Sequence, residues 1–132
     1  MATKKIFISY DYDNDRAYKN LLVAWSKNSE FDLYLNDQSV DVSINSTDAA
    51  AVKRGISAAI NGSTYFLCIV GKKTSQSQWV DFEIRKAIEL SKKLIGVKIE
   101  KDNTTPSALL NQGATWALSF NFDAIKKAVD YA

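Results

Sequence analysis

The chain has no histidine and a single cysteine, Cys68, among its 132 residues. The lack of histidine excludes Ser-His-Asp and Cys-His catalysis, and it excludes a metal site with histidine ligands, so no metal is expected. A lone cysteine excludes a disulfide within the chain. Because Cys68 lies in an apolar run, we interpret it as a buried, inert thiol in a reducing cytoplasm, which makes the expected location cytoplasmic.

Glycine and proline are also scarce, with five and one residues respectively. The glycines are not clustered, so the glycine-rich loops of dinucleotide-binding folds and of nucleotide triphosphatases are both absent. Neither charge sign dominates, since 17 basic and 15 acidic residues give a net charge of +2. We therefore expect no nucleic-acid partner. The chain also lacks a span of about 20 apolar residues, so we expect no membrane partner.

The chain alternates between strand-like and helix-like segments. This alternation predicts one domain over residues 1–132, an α/β flavodoxin-like three-layer sandwich. Its five-stranded parallel sheet would have the order 2-1-3-4-5, with helices on both faces. The predicted strands are Lys5–Tyr10, Phe31–Leu35, Thr64–Val70, Lys93–Ile99 and Thr115–Leu118. The predicted helices are Asp15–Lys27, Asp48–Ile60, Ser75–Lys92 and Asp123–Tyr131.

The first helix is predicted to be capped by Asp13 or Asn14. Thr47 is the expected cap of the second helix, and Asn121 or Asp123 that of the last. Two acidic or polar segments, Asp13–Asp15 and Asn36–Ser46, are expected to be exposed. The predicted core face of the first helix consists of Ala17, Leu21, Leu22 and Trp25.

The helix after the third strand contains the main candidate residue, Glu83. Ser75 and Gln78 have the spacing of a capping box, which places the start of this helix at Ser75. Glu83 has no basic residue four positions away, and it follows Trp79 by one helical turn. Taken alone, such a glutamate is more often a surface acid, and such a tryptophan is more often a packing residue. Three other pairs have the spacing of ion pairs: Asp81–Arg85, Arg85–Glu89 and Glu89–Lys93.

The predicted topology favours the interpretation that Glu83 belongs to a functional site over the interpretation that it is a surface acid. In a doubly wound sheet, ligands bind outside the carboxyl ends of the strands, where the strand order reverses. The first strand ends at Ser9–Asp11, and Glu83 in the second turn of its helix should face the same crevice. One positioned carboxylate can stabilise an oxocarbenium-like transition state, as cleavage of a glycosidic bond requires. The Trp79 indole could stack against a flat base.

Two other functions of this architecture do not fit the residues. A phosphorelay receiver needs an aspartate at the end of the third strand, where this chain has Cys68–Gly71. A flavodoxin needs a hydroxyl-rich phosphate loop after the first strand, where this chain has the acidic segment Asp11–Asp15.

The chain resembles a TIR domain, and in particular the short prokaryotic TIR-like proteins grouped with the TIR subunit of Thoeris anti-phage defence. The resemblance rests mainly on Phe7-Ile8-Ser9-Tyr10, on Tyr12-Asp13-Asn14-Asp15 and on the Trp79-x-x-x-Glu83 motif. The chain departs from the general TIR pattern in two places. The loop after the second strand lacks an R-D-x-x-P-G-like signature, and no basic residue directly follows Ser9-Tyr10.

The resemblance implies that Glu83 is catalytic and that NAD is the substrate rather than a bound cofactor. Cleavage of the nicotinamide–ribose bond would yield a cyclic ADP-ribose-type signal, read by a separate effector protein, and activation would involve a homo-oligomer. A non-catalytic TIR-like module for protein–protein interaction remains the alternative. The substrate-binding residues that the resemblance implies are Ser9, Tyr10, Asp11, Asp37, Ser43 and Trp79.

Overall fold

Five parallel strands form a single sheet. The computed structural model describes residues 4–27, 33–36 and 49–132. The spatial order is β2-β1-β3-β4-β5, and each neighbouring pair is parallel, as the alternation of segments predicts. The central strand is the most apolar one, and its residues from Phe66 to Val70 are fully buried. The strands are β1 (Lys4–Ser9), β2 (Leu33–Asn36), β3 (Tyr65–Val70), β4 (Lys93–Lys98) and β5 (Thr115–Ala117).

Helices cover both faces of the sheet and create two separate apolar layers. Because side chains alternate along a strand, successive residues of β1 point into different layers. Ile6 and Ile8 face α1 and α4, whereas Phe7 faces α2 and α3. The helices are α1 (Tyr12–Ser26), α2 (Ala49–Asn61), α3 (Gln78–Glu89) and α4 (Phe122–Asp130). Among the described residues, no helix is both long and apolar enough to cross a membrane.

The start of α3 differs from the prediction. Thr74–Gln76 forms a short 3₁₀ helix, and α3 begins at Gln78 with Ser77 as its N-cap. The Ser77 hydroxyl accepts a hydrogen bond from the Val80 N–H at 3.2 Å. The predicted capping box of Ser75 and Gln78 is therefore wrong. The helix starts later than predicted because the buried Thr74 side chain, one residue before Ser75, holds this segment against the end of β3.

The ion pairs on α3 follow the prediction only in part. Asp81 and Arg85 pair at 2.9 Å, as expected. Glu89 pairs instead with Lys86 at 2.7 Å, and Lys93 is the first residue of β4. The helix ends at Glu89, so Lys93 does not continue its surface.

Helix α1 is shifted and rotated relative to the prediction. It begins at Tyr12, and Asp11 occupies the N-cap position without a side-chain capping bond. Leu22 is buried as predicted, but Leu21 is 41% exposed and Ala17 is exposed. The inward positions are instead Asp15, Lys19 and Leu22, so the predicted exposure of Asp15 is also wrong. The error arises because the inner face of α1 is polar where it covers the carboxyl ends of the strands.

Most of the other boundaries agree with the prediction within two residues, which is the usual spread at element ends. Asn121 caps α4, and its side-chain oxygen accepts a hydrogen bond from the Ala124 N–H at 2.8 Å. The order of the strands puts β2 at an edge of the sheet. The predicted cap Thr47 and positions 37–46 of the predicted polar loop lie outside the described residues.

Gly96 and Trp116 pair across β4 and β5, and their contact explains the glycine. A methyl group at position 96 would overlap the six-membered ring of Trp116. Because the indole is rigid and half-buried in the layer of α2 and α3, it has to move to admit the methyl group.

We expect Gly96→Ala to lower the free energy of unfolding by about 1–3 kcal/mol, because it overpacks this contact. The matched control is Gly55→Ala in α2, where no heavy atom lies within 4 Å of the added carbon. There, alanine should raise stability by up to about 1 kcal/mol through its higher helix propensity. Urea unfolding measures both values, and equal effects of the two substitutions would contradict the packing argument.

Candidate active site

Ser9 and Glu83 meet at the carboxyl end of β1. Glu83 projects from the second turn of α3 and is only 4% exposed, and Ser9 is fully buried. The Ser9 hydroxyl donates a hydrogen bond to Glu83 Oε1 at 2.8 Å, although the two residues are 74 positions apart in the chain. Topology predicts this proximity, because Ser9 ends a strand beside the point where the strand order reverses.

Burial governs the protonation of Glu83. Removal of the carboxyl from water raises its pKa from the ordinary value of 4.5 to about 8, while the Ser9 hydrogen bond acts in the opposite direction. Among the described residues, no lysine or arginine forms an ion pair with Glu83. The carboxyl is therefore mostly protonated at neutral pH in this conformation. Groups that donate hydrogen bonds to it would favour its ionised form.

Cys68 lies beside Ser9 on the neighbouring strand and is fully buried. Burial raises the pKa of its thiol, and negative charge on Glu83 and then on Asp15 raises it further. A thiol in these surroundings stays protonated and unreactive. The prediction of a buried cysteine is confirmed, and the effect of both carboxyls on one thiol places Glu83 and Asp15 around the end of β3.

The other predicted substrate-binding residues occupy different positions around this end of the sheet. Tyr10 is buried in the opposite layer, with α1 and α4, so the structure does not bring its side chain to Glu83. Asp11 accepts a hydrogen bond from Asn14 Nδ2 at 2.6 Å and is 9% exposed. Trp79 is half-buried and packs against the layer of α2 and α3. Asp37 and Ser43 lie outside the described residues.

Trp79 has the packing role that is common for a tryptophan at a helix start. Its ring meets that of Phe82 edge to face, with 6.4 Å between the centroids. One turn separates Trp79 from Glu83 along α3, so an indole borders the region of the carboxyl. This partly buried position leaves some of the ring accessible.

Sequence reasoning missed a second buried acid, Asp15, and its partner Thr74. The Gly71 N–H donates a hydrogen bond to Thr74 Oγ1 at 2.8 Å, and the Thr74 hydroxyl lies 3.3 Å from Asp15 Oδ2. A Cβ atom at position 71 would overlap the Asp15 carboxyl, so a larger residue there would displace that carboxyl from its contact with Thr74. These contacts join the first turn of α1 to the segment that leads into α3. The burial of Asp15 could have been predicted from its helical spacing to Lys19 and Leu22, which places the three residues on one face of α1.

Burial also raises the pKa of Asp15, the hydrogen bond from Thr74 lowers it, and the negative charge of Asp11 raises it further. The end of the sheet thus contains two carboxyls whose charged forms are disfavoured. Perturbed carboxyls gathered at the carboxyl ends of parallel strands are typical of a functional site.

The fold and its site define a TIR-like α/β domain. The family described as "Thoeris protein ThsB, TIR-like domain" matches residues 7–104, well over half of the chain. This chain therefore belongs to the family of TIR-like domains of the Thoeris protein ThsB. The resemblance drawn from the sequence motifs is thereby confirmed.

Several known proteins are similar to the chain, among them a sequence relative and two solved structures. The "Putative cyclic ADP-D-ribose synthase ThsB1" of Bacillus cereus (strain MSX-D12) is 28% identical over 99 residues, which are 73% of this chain and 52% of the relative. The chain thus spans about half the length of that relative. A prokaryotic SEFIR domain aligns with a TM-score of 0.55 at 13% identity, covering 98% of this chain and 95% of that one. A 2-desoxiribosyltransferase from Leishmania mexicana aligns with a TM-score of 0.54 at 19% identity, covering 97% of this chain and 95% of that one. Both structures share the fold.

The raised pKa of Glu83 predicts that the protein loses stability as the pH rises. The folded state keeps a proton that the unfolded chain loses, so stability is complete below the ordinary value of 4.5 and declines until about 8. The slope for one proton approaches about 1.4 kcal/mol per pH unit. Glu83→Gln should remove most of this slope, and Asp15 supplies a remainder of the same sign.

Urea unfolding across this pH range measures the slope. Glu89→Gln is the matched control, because Glu89 lies on the same helix with an exposed side chain. This control should keep the slope of the wild-type protein. Stability that rises with pH over the same range, or an unchanged slope in Glu83→Gln, would contradict a neutral buried Glu83.

Proposed function

We propose that this protein cleaves the nicotinamide–ribose bond of NAD and converts the remainder into a cyclic ADP-ribose-type signal in anti-phage defence. The observation that carries the proposal is the Glu83 carboxyl bound to Ser9 at the carboxyl end of the parallel sheet. Family membership supports it, as does the name of the Bacillus cereus relative, a cyclic ADP-D-ribose synthase.

The chemistry requires only one carboxylate. The bond between ribose C1′ and the pyridinium nitrogen breaks heterolytically, and its electron pair neutralises the nicotinamide, which leaves without a general acid. Positive charge then develops on the ribose, and the Glu83 carboxylate stabilises it. A nitrogen of the adenine captures C1′ to close the ring, or water captures it and loses a proton to solvent.

Substrate binding also supplies the ionised form of Glu83. Ribose hydroxyls that donate hydrogen bonds to Glu83 would lower its pKa, as the Ser9 hydroxyl already does. The positive charge of the nicotinamide ring acts in the same direction. The carboxyl would thus be stored neutral and become charged when NAD arrives.

The remaining roles follow from the positions of the residues around Glu83. Ser9 would hold the carboxyl, Asp11 and Tyr10 would supply the backbone that borders the ribose, and Trp79 would stack on a flat ring. Asp37 and Ser43 would contribute from the segment after β2. We also propose that copies of the chain associate on activation, and that a separate effector protein reads the nucleotide product.

A non-catalytic interaction module is the second candidate. It is favoured by the almost complete burial of Glu83, at 4% exposure, and by its neutral carboxyl. The absence of a basic residue directly after Ser9-Tyr10 favours it as well, because NAD carries two phosphates. Such a protein would use its surface to assemble with partners and leave NAD intact.

The two functions are distinguished by incubating concentrated protein with NAD and measuring nicotinamide by chromatography. Glu83→Gln should lower the rate about a hundredfold or more, which corresponds to roughly 3 kcal/mol of lost transition-state stabilisation. Glu89→Gln, the same change at an exposed position of α3, should keep the wild-type rate. The mass of the second product separates cyclisation from hydrolysis.

Release that persists in Glu83→Gln would remove Glu83 from the catalytic role. An absence of release from concentrated wild-type protein, in buffer and in lysate from phage-infected cells, would favour the interaction module.

A further inference from the structure

A second cleft opens at the same end of the sheet and is bordered by α1 instead of α3. It has a volume of about 330 Å³ and lies between the first turns of α1, the Gly71–Lys73 turn after β3 and the turn after β4. Neither Ser9 nor Glu83 lines it, so it lies apart from the Ser9–Glu83 hydrogen bond. Its volume suits a small molecule, and its position at the carboxyl ends of the strands is where such sheets bind ligands.

Two buried polar side chains line this cleft and leave hydrogen-bonding atoms unused. Asp15 is 5% exposed, and Thr74 contacts its Oδ2 atom. Asn103 is 8% exposed, and its Oδ1 atom accepts a hydrogen bond from the Glu100 N–H at 2.9 Å. Within residues 4–27, 33–36 and 49–132, neither Asp15 Oδ1 nor Asn103 Nδ2 has a hydrogen-bond partner. Buried polar atoms are usually paired, and these two atoms are available to hydrogen-bond a ligand in the cleft.

The charges around the cleft restrict the class of ligand. Lys72 and Lys73 line it with exposed side chains, and neither forms an ion pair with another described residue. The exposed Glu100 lines it as well, and the basic charge at the cleft comes from these two lysines alone among the lining residues. The cleft therefore offers an acceptor, Asp15 Oδ1, together with the Asn103 amide and two ammonium groups. A ligand that matches these groups carries both a hydrogen-bond donor and anionic oxygens.

We propose that this cleft binds a sugar phosphate. A sugar hydroxyl donates to Asp15 Oδ1, and the phosphate oxygens accept from Asn103 Nδ2 and from the ammonium groups of Lys72 and Lys73. An amino acid has a similar polarity, but burying its ammonium against Asp15 costs more desolvation than burying a hydroxyl. The choice of ribose phosphate within this class rests on the proposed function, because NAD and its ADP-ribose products contain ribose 5-phosphate.

The test is a titration of the full chain with ribose 5-phosphate, monitored by amide chemical shifts and by calorimetry. The Glu83→Gln protein is used, so that binding is measured without turnover and independently of the proposed catalysis. We expect shifts centred on Gly71–Lys73 and Asn103. Loss of catalysis in every variant would leave this binding result unaffected.

Asn103→Asp is the most informative variant. It keeps the oxygen that accepts from the Glu100 N–H, and it replaces the free donor with a carboxylate oxygen that repels phosphate. Binding should weaken by about tenfold or more. The matched control is Asn111→Asp, because Asn111 is exposed, lies outside the lining of the cleft and already has a positive φ of 60°. Asparagine and aspartate both tolerate that backbone conformation.

The lysines provide a second, independent comparison. Lys72→Ala combined with Lys73→Ala should weaken binding by about tenfold and reduce its salt dependence. Lys101→Ala removes an exposed lysine outside the cleft and should change neither the affinity nor its salt dependence.

Four outcomes would overturn the proposal. The first is an absence of binding at ~10 mM ribose 5-phosphate, and the second is a set of amide shifts centred on Ser9 in the wild-type protein. The third is a loss of affinity in Asn111→Asp equal to that in Asn103→Asp. The fourth is binding of glutamate to the same residues with the same affinity as ribose 5-phosphate. The last result would assign the cleft to an amino acid.

Discussion

The hydrogen bond between Ser9 and Glu83 is the interaction on which the site depends. It joins the end of the first strand to a helix that follows 74 residues later, and it lies where water is excluded. Burial disfavours the charged carboxylate and raises the pKa of Glu83, whereas the hydrogen bond from Ser9 acts in the opposite direction. The strand order places both residues at the carboxyl end of the sheet. Because side chains alternate along β1, Ser9 points toward α3.

Much of this arrangement could be predicted from the sequence because it follows from periodicity and topology. The uninterrupted apolar run of Thr64–Val70 indicates a central strand, and the alternation of elements gives the parallel order. Glu83 stood out because its neighbours on the helix have partners at helical spacing and it has none. The burial of Glu83 could not be predicted from the sequence, because its exposure depends on how α3 fits against the sheet rather than on residue spacing.

The errors share one physical cause. The capping box at Ser75 and the core face of α1 were predicted from local patterns, whereas contacts distant in sequence decide both. Thr74 is held by Gly71 and Asp15, which delays the start of α3. Asp15 faces inward although it is an acid, because α1 covers the polar ends of the strands instead of their apolar middle. Single-sequence reasoning has no access to such tertiary contacts.

Two buried carboxyls therefore lie near the end of β3, one in each layer of the domain. Glu83 meets Ser9 in the layer of α2 and α3, while Asp15 lines the cleft beside α1. Cys68 is fully buried near both, and burial is the main reason why its thiol remains protonated, with negative charge on Glu83 and then on Asp15 raising its pKa further. The short segment from Gly71 to Ser77 joins the two sides, because Thr74 contacts Asp15 and Ser77 caps the helix that carries Glu83.

The central claim is that Glu83 is stored as a neutral carboxyl. It is tested most directly by following the ¹³C resonance of the Glu83 side-chain carboxyl during a pH titration of the protein without NAD. Comparison with Glu83→Gln assigns the resonance. We predict a midpoint of about 8. A midpoint near the ordinary value of 4.5 would show that Glu83 is already ionised at neutral pH and would contradict the account.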